Sequence, residues 1–181
     1  MKGKLIIVSG PSGSGKSTVT KIVKERLNIP LSISATTRKP RDGEVEGKDY
    51  YFLTEEEFKK RIEKDEFYEY ANVHGNYYGT LKETVEKNLE KGLNVILEID
   101  VQGALIAKEK KKDAVLVFIR TENMEILEER LRNRKTDSEE VIRKRLENAL
   151  LELEYENRYN YTIVNRNVED SVEELIDIIN G

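Results

Sequence analysis

The sequence predicts an α/β fold: a three-layer, parallel-sheet core interrupted by an inserted lobe of antiparallel strands and helices. Three observations carry that expectation. The apolar run LIIV at residues 5–8 passes through a glycine-rich turn straight into a helical pattern. From residue 94 onward apolar strands alternate with helices, the order that builds a parallel sheet. Between these stretches, FYEYANV and NYYG flank His74 and Gly75 as the arms of a tight antiparallel hairpin do.

Taken in order, residues 4–9 read as a strand covered on both faces, because its aliphatic residues do not alternate with polar ones. From Ser17, residues Val19, Ile22, Val23 and Leu27 share one helical face, and the pattern stops ahead of Pro30. Segments 54–65 and 80–91 each open on a capping-box pair, Thr54 with Glu57 and Thr80 with Glu83, and the second closes on Gly92. Strands are expected at 94–100 (NVILEID), 114–120 (AVLVFIR) and 161–165 (YTIVN). Helices are expected from Gln102, over 123–133 and 138–157, and from Ser171, where Glu174 completes a third capping box. One domain follows, its core formed by residues 1–31 and 91–181 and its insertion by residues 32–90.

The 181 residues are enough for one sizeable core. With 38% hydrophobic and 36% charged residues, the chain reads as soluble and globular with a heavily ionic surface. A net charge of −4 excludes a broad nucleic-acid surface, which needs excess Lys and Arg against the phosphate backbone. The absence of cysteine excludes disulfides, thiolate metal sites and cysteine nucleophiles. The longest apolar run, AVLVFI at 114–119, is far short of a membrane span, and no cleavage-site pattern follows the N-terminal aliphatics. No membrane partner is expected, and the expected location is the cytoplasm. Any anionic ligand must be held locally.

One such place is GPSGSGKS, residues 10–17, which fits G-x-x-x-x-G-K-[ST] with a strand before it and a helix after it. Gly10, Gly13 and Gly15 let the backbone of Gly10, Pro11, Ser12, Gly13, Ser14 and Gly15 curl so that successive N–H groups face one centre. The helix beginning near Lys16 adds its positive end, with Thr18 in its first turn. Lys16 neutralises charge on the β and γ phosphates of a nucleoside triphosphate such as ATP, and the Ser17 hydroxyl suits Mg2+. This motif fixes a phosphoryl donor and leaves the acceptor open.

A second cationic segment, SATTRKPRDGE at 34–44, lies in a stretch with no helical or strand period. Arg38 and Arg41 each present a fork to phosphate oxygens, Lys39 adds a point charge, and Pro40 stiffens the chain. Taken alone it is also what a solvated basic loop looks like. Glu98 and Asp100 sit two apart on a strand, so both point to one face at its C-terminal end, where open α/β sheets bind ligands.

Together these segments resemble the guanylate kinases, which transfer the γ-phosphoryl group of ATP to GMP. The resemblance covers essentially the whole chain. It is carried by GPSGSGKS at 10–17, SATTRKPRDGEVEGKDYYF at 34–52, YEYANVHGNYYGT at 68–80, LEIDVQGA at 97–104 and RLRNRKTDSEEVIRKRLENA at 130–149. For the fold it implies a P-loop kinase core, a GMP-binding lobe made by the insertion and a helical lid around residues 130–145. For the site it implies that Ser34, Arg38, Arg41, Tyr50 and Tyr78 hold the GMP phosphate. Glu69, Gly79, Thr80 and the carboxylates Glu98 and Asp100 would meet the rest of GMP, with Asp100 alternatively near Mg2+. Arg130, Arg134 and Arg145 would join Lys16, Arg38 and Arg41 on the transferring phosphoryl, and Asn165 would lie near the adenine of ATP. Guanine offers N1–H and a 2-amino group as adjacent donors to a carboxylate, whereas adenine presents a bare acceptor there.

Two positions depart from the family pattern: Arg166 stands where an acidic residue is usual, and Lys135 where glycine is usual. His74 reads as a hairpin-tip residue rather than a catalytic one. Tyr51, Tyr68, Tyr70 and Tyr77 read as packing residues. Two alternatives remain open at this level: a kinase for another nucleoside monophosphate, and a guanylate-kinase-like module that binds phosphopeptides without catalysis. Monomer and homodimer are both compatible with the sequence.

Overall fold

The computed structural model describes residues 2–30 and 32–181. In chain order it contains β1 (Leu5–Ser9), α1 (Lys16–Arg26), β2 (Ala35–Thr36), β3 (Tyr51–Phe52), α2 (Glu55–Glu63), β4 (Phe67–Val73), β5 (Asn76–Leu81) and α3 (Lys82–Glu90). There follow β6 (Val95–Glu98), α4 (Val101–Lys110), β7 (Val115–Arg120), α5 (Met124–Asn133), α6 (Glu139–Leu153), a 3-10 turn at Glu156–Arg158, β8 (Tyr161–Val164) and α7 (Val168–Asn180). The strands form two sheets, ordered β6-β1-β7-β8 and β3-β2-β5-β4. No helix among the described residues is long and apolar enough to cross a membrane.

The chain divides into two compact units, one of Met1–Leu5, Pro30–Val95 and Gln102–Ala114, the other of Ile6–Ile29, Ile96–Val101 and Val115–Gly181. In the second, β1 runs parallel to β7 with Ile6 opposite Val115, and β7 parallel to β8 with Val117 opposite Tyr161. Alternate residues Ile6, Val8, Val117, Ile119 and Ile163 share a core with Val19 and Val23 of α1 and with Val172, Leu175 and Ile179 of α7. Leu116 and Phe118 are equally buried on the opposite face, which explains why these strands read as unbroken apolar runs.

In the first unit, β4 and β5 form the expected hairpin, with Val73 opposite Asn76 and His74 and Gly75 at its tip, both at positive φ (50° and 84°). A bulge between Phe67 and Glu69 lets consecutive residues Phe67 and Tyr68 both be buried. Phe67 stacks on Phe58 at 4.4 Å, and Phe58 on Tyr77 at 5.2 Å. The loop expected around residue 35 contributes a two-residue strand, β2, which pairs antiparallel with β5 and parallel with β3.

The capping box at Thr54 and Glu57 forms in both directions. The two others do not. Thr80 lies within β5 and spends its hydroxyl on Glu69, so α3 starts later, at Lys82, with no side-chain cap. The closing helix starts earlier than Ser171, because Asn167 accepts from the Asp170 N–H as its cap; Ser171 is a buried first-turn residue. Gly92 does end α3: its N–H reaches the Leu89 carbonyl at 3.0 Å and the Leu93 N–H reaches Asn88 at 3.1 Å, the paired bonds of a Schellman turn.

Candidate active site

The phosphate-loop segment leaves β1 at Gly10 and enters α1 at Lys16. A Cβ at residue 10 would meet the Ile119 carbonyl oxygen at 1.9 Å, so β7 passes too close for any side chain there. Gly15 is left-handed, φ 88°, as the residue preceding α1. The loop is held from outside by three side chains. Asn165 Nδ2 donates to the Ser14 carbonyl at 2.8 Å, Arg130 Nη1 to the same carbonyl at 3.3 Å, and Arg145 Nη1 to Ser12 Oγ at 2.6 Å. The Ser14 hydroxyl is buried with no protein partner, a free donor inside the loop.

Lys16 donates to the Pro11 carbonyl at 3.4 Å. Its burial lowers the ammonium pKa. The nearby carboxylates of Glu98 and Glu152 act against that, and the Arg134 and Arg145 cations add to it. Charges from β6, from α6 and from the residue capping α5 thus all act on this lysine. Glu152 has its own pKa raised by burial, with Lys16 pulling it down and Asp100 pushing it up. Sequence reasoning missed Glu152, since one more Glu on a Glu-rich helix carries no signal of which face meets the loop.

The resemblance implies that Glu98 meets GMP; in this structure its carboxylate accepts from the Ser17 hydroxyl and from Thr20 Oγ1, the latter at 2.9 Å. Both donors are on α1, one turn apart, so Glu98 stands beside the residue expected to approach Mg2+. Arg145 pairs with Asp137 at 3.0 Å as well as reaching Ser12. Arg134 caps α5 and is exposed.

The other expected residues gather in the first unit. Arg38 donates through Nη2 to Glu44 Oε1 at 2.8 Å, and through Nη1 to Glu44 Oε2 at 3.0 Å and to the Lys39 carbonyl at 2.9 Å. Its guanidinium lies 5.5 Å from the centre of the Tyr50 ring, and Tyr50 meets Tyr78 edge-on at 6.0 Å. Glu44 also accepts the Arg41 backbone N–H at 2.7 Å. Those donors hold the Glu44 carboxyl below its ordinary value, Arg38 first. The Arg41 and Lys39 side chains are exposed. The Ser34 carbonyl accepts the N–H of Tyr51 at 2.9 Å, which fixes the segment beside Tyr50. Glu69 and Thr80 face each other across β4 and β5, and the Thr80 hydroxyl donates to Glu69 Oε1 at 2.8 Å. Gly79 is packed under the Phe67 ring, which an added Cβ would meet at 2.8 Å.

The family model described as Guanylate kinase matches residues 2–181. The chain belongs to the guanylate kinase family. A guanylate kinase of Fusobacterium nucleatum is 60% identical over 177 residues, spanning 98% of this chain and 96% of the relative. One of Thermotoga maritima is 46% identical over 180 residues, spanning 99% and 87%. The crystal structure of the Anaplasma phagocytophilum guanylate kinase superposes with a TM-score of 0.72 at 36% identity, covering 99% of this chain and 85% of that one.

Within this guanylate kinase family, the two departures acquire physical meaning. Lys135 adopts φ 53°, the left-handed region that glycine enters without strain. Arg166 is exposed and pairs with Glu122 at 3.5 Å, away from the buried side chain of Asn165. Glu44 is the residue sequence reasoning passed over: it organises the cationic loop, and its only signal was an acid three positions after Arg41.

Proposed function

We propose that this chain transfers the γ-phosphoryl group of ATP to a phosphate oxygen of GMP, giving ADP and GDP. The observation that carries the reading is the grouping in one unit of Arg38, Tyr50 and Tyr78 with the Glu69–Thr80 pair, in a chain that also has an intact phosphate loop. Ser34, Arg38, Arg41, Tyr50 and Tyr78 hold the acceptor phosphate. Arg38 is held by Glu44, the Lys39 carbonyl and Tyr78, so its guanidinium is fixed in place beside the tyrosines that share the phosphate. Glu69 accepts the N1–H and 2-amino donors of guanine, and Thr80, whose hydroxyl proton goes to Glu69 while its oxygen lone pairs stay open as acceptors, supplies the neighbouring contact near Gly79.

On the donor side, the loop N–H groups of residues 10–18, the Lys16 ammonium and the Ser14 hydroxyl receive the triphosphate. In the transfer a GMP phosphate oxygen bonds to the γ phosphorus as the β–γ bridging oxygen leaves with ADP. There is little for a base to do, so the residues act by charge and position. Lys16, Arg134 and Arg145, with Arg130 behind the loop, offset the charge, and residues 130–145 act as the lid that keeps water from the phosphoryl.

Mg2+ fits this donor set. Among the described residues no group of three or more His, Cys, Asp or Glu side chains forms a metal cage. The Ser17 hydroxyl with the Glu98 carboxylate offers hard oxygen ligands of the kind Mg2+ takes alongside phosphates and water, with Asp100 nearby in sequence. When bound, the ion offsets charge on the phosphate oxygens. Glu98 thus stands with Ser17 on the donor side as well as among the residues that the resemblance brings to GMP.

The test is an acceptor panel. The unsubstituted enzyme is expected to prefer GMP over AMP and dTMP, and Glu69→Gln to lose kcat/KM for GMP by about a hundredfold or more while KM for ATP holds. Equal rates with AMP and GMP would remove the guanine assignment.

A further inference from the structure

The resemblance places Asn165 beside adenine; its surroundings give it another task. Asn165 follows β8 and is 2% exposed. Its Nδ2 donates to the Ser14 carbonyl at 2.8 Å, and its Oδ1 accepts from the Ser171 hydroxyl at 2.9 Å. Its own carbonyl accepts from Arg130 Nη2 at 2.8 Å, and its backbone N–H reaches Arg120 at 2.8 Å. Turning the amide over would set oxygen against the Ser14 oxygen, so the network assigns its orientation. An amide that reads a base presents a free edge to the ligand; this one has both ends engaged inside the protein.

We propose that Asn165 is a positioning residue for the phosphate loop: together with Arg130 it pins the Ser14 carbonyl outward and so aims the Gly15 N–H at the bound phosphates, whatever the base. A trans peptide is planar, and its C=O and N–H point in opposite directions. Two donors from separate elements, the end of β8 and helix α5, converge on the one carbonyl, and the orientation of the next N–H follows. Gly15 is matched to this clamp, since a Cβ there would sit 2.2 Å from Asn165 Nδ2. Ser171, in the first turn of α7, locks the amide from behind. The inference rests on the phosphoryl-transfer reading only for its consequence in turnover; its binding consequence stands alone.

The experiment is calorimetric titration of sodium tripolyphosphate, which has no base, into the unsubstituted chain and into Asn165→Asp, whose carboxylate cannot donate to Ser14. The same proteins are assayed with ATP and ITP as donors. Tripolyphosphate affinity is expected to fall at least about tenfold, the scale of one lost charge-assisted contact, with kcat/KM falling equally for ATP and ITP. The buried carboxylate is expected to lower the thermal midpoint, but GMP affinity measured well below that midpoint is expected to hold, which a merely structural lesion would not allow. Should Asn165→Asp not fold, Ser171→Ala carries the same readout, with a smaller loss in the same direction. Unchanged tripolyphosphate affinity with a collapsed ATP-to-ITP ratio overturns the proposal, as does absence of tripolyphosphate binding by the unsubstituted chain. Loss of tripolyphosphate binding in a chain that makes no ADP would instead leave the clamp standing and remove the phosphoryl-transfer reading.

Discussion

Glu44 accepts two guanidinium donors from Arg38, at 2.8 and 3.0 Å, and the Arg41 backbone N–H at 2.7 Å. A carboxylate thus sits at the centre of the segment proposed to bind an anion. It holds one edge of the Arg38 fork and so fixes the guanidinium beside the Tyr50 ring. Glu44→Gln keeps the shape and removes the charge. KM for GMP is expected to rise about tenfold with KM for ATP unchanged, the scale of one charge-assisted hydrogen bond to phosphate. Steady-state kinetics with each substrate varied decides it; a lower KM for GMP would mean that Glu44 competes with the ligand instead of supporting its site.

Glu86 ties three parts of the first unit together, accepting from Tyr68, from Lys2 at 2.9 Å and pairing with Lys111 at 3.2 Å. Burial alone would raise its carboxyl, but the Tyr68, Lys2 and Lys111 donors outweigh that and bring it down to about 2 from an ordinary value of 4.5. A carboxylate with a depressed folded-state pKa stabilises the fold above its unfolded value, and that contribution fades as pH falls through the folded one. The difference in denaturation midpoint between the unsubstituted chain and Glu86→Gln is therefore expected to be full at neutral pH and to shrink between about 4.5 and 2. A difference independent of pH would show that the network acts by packing.

Lys135, just beyond α5, pays for its left-handed backbone with contact between Cβ and the neighbouring carbonyl. Lys135→Gly is expected to stabilise the chain by up to ~1 kcal/mol, the left-handed penalty less the added freedom of glycine when unfolded. Lys135→Ala is expected to give no such gain. Thermal unfolding of both variants measures it, and equal effects would remove the backbone explanation.

Phe58 is wholly buried and stacks on Phe67 and Tyr77, joining α2 to both hairpin strands. Phe58→Ala is expected to cost about 3–5 kcal/mol, the range for emptying a packed aromatic site. Because Glu69 and Tyr78 lie on those strands, GMP binding measured by calorimetry is expected to weaken with it. Retained affinity at full occupancy would show that the hairpin keeps its shape without this core.

What the sequence revealed was whatever its neighbours along the chain could determine. The phosphate loop was legible because strand, glycine spacing and helix are contiguous, and the His74–Gly75 tip and the Thr54–Glu57 cap for the same reason. Thr80 and Ser171 matched cap patterns equally well, yet their hydroxyls went to Glu69 and Asn165, partners set by tertiary pairing. Glu44 carried no periodic signal in an irregular segment. The roles of Glu98 and Asn165 depended on which donors the folded loop brings to them, and spacing does not encode that.

The most direct test of the proposed phosphoryl transfer is release of ADP from ATP, followed with and without GMP, with Lys16→Ala as the control. ADP is expected to form only when GMP is present, in step with GDP, and to fall to background in Lys16→Ala while the variant remains folded. No ADP from ATP and GMP, or an equal rate without GMP, would contradict the assignment.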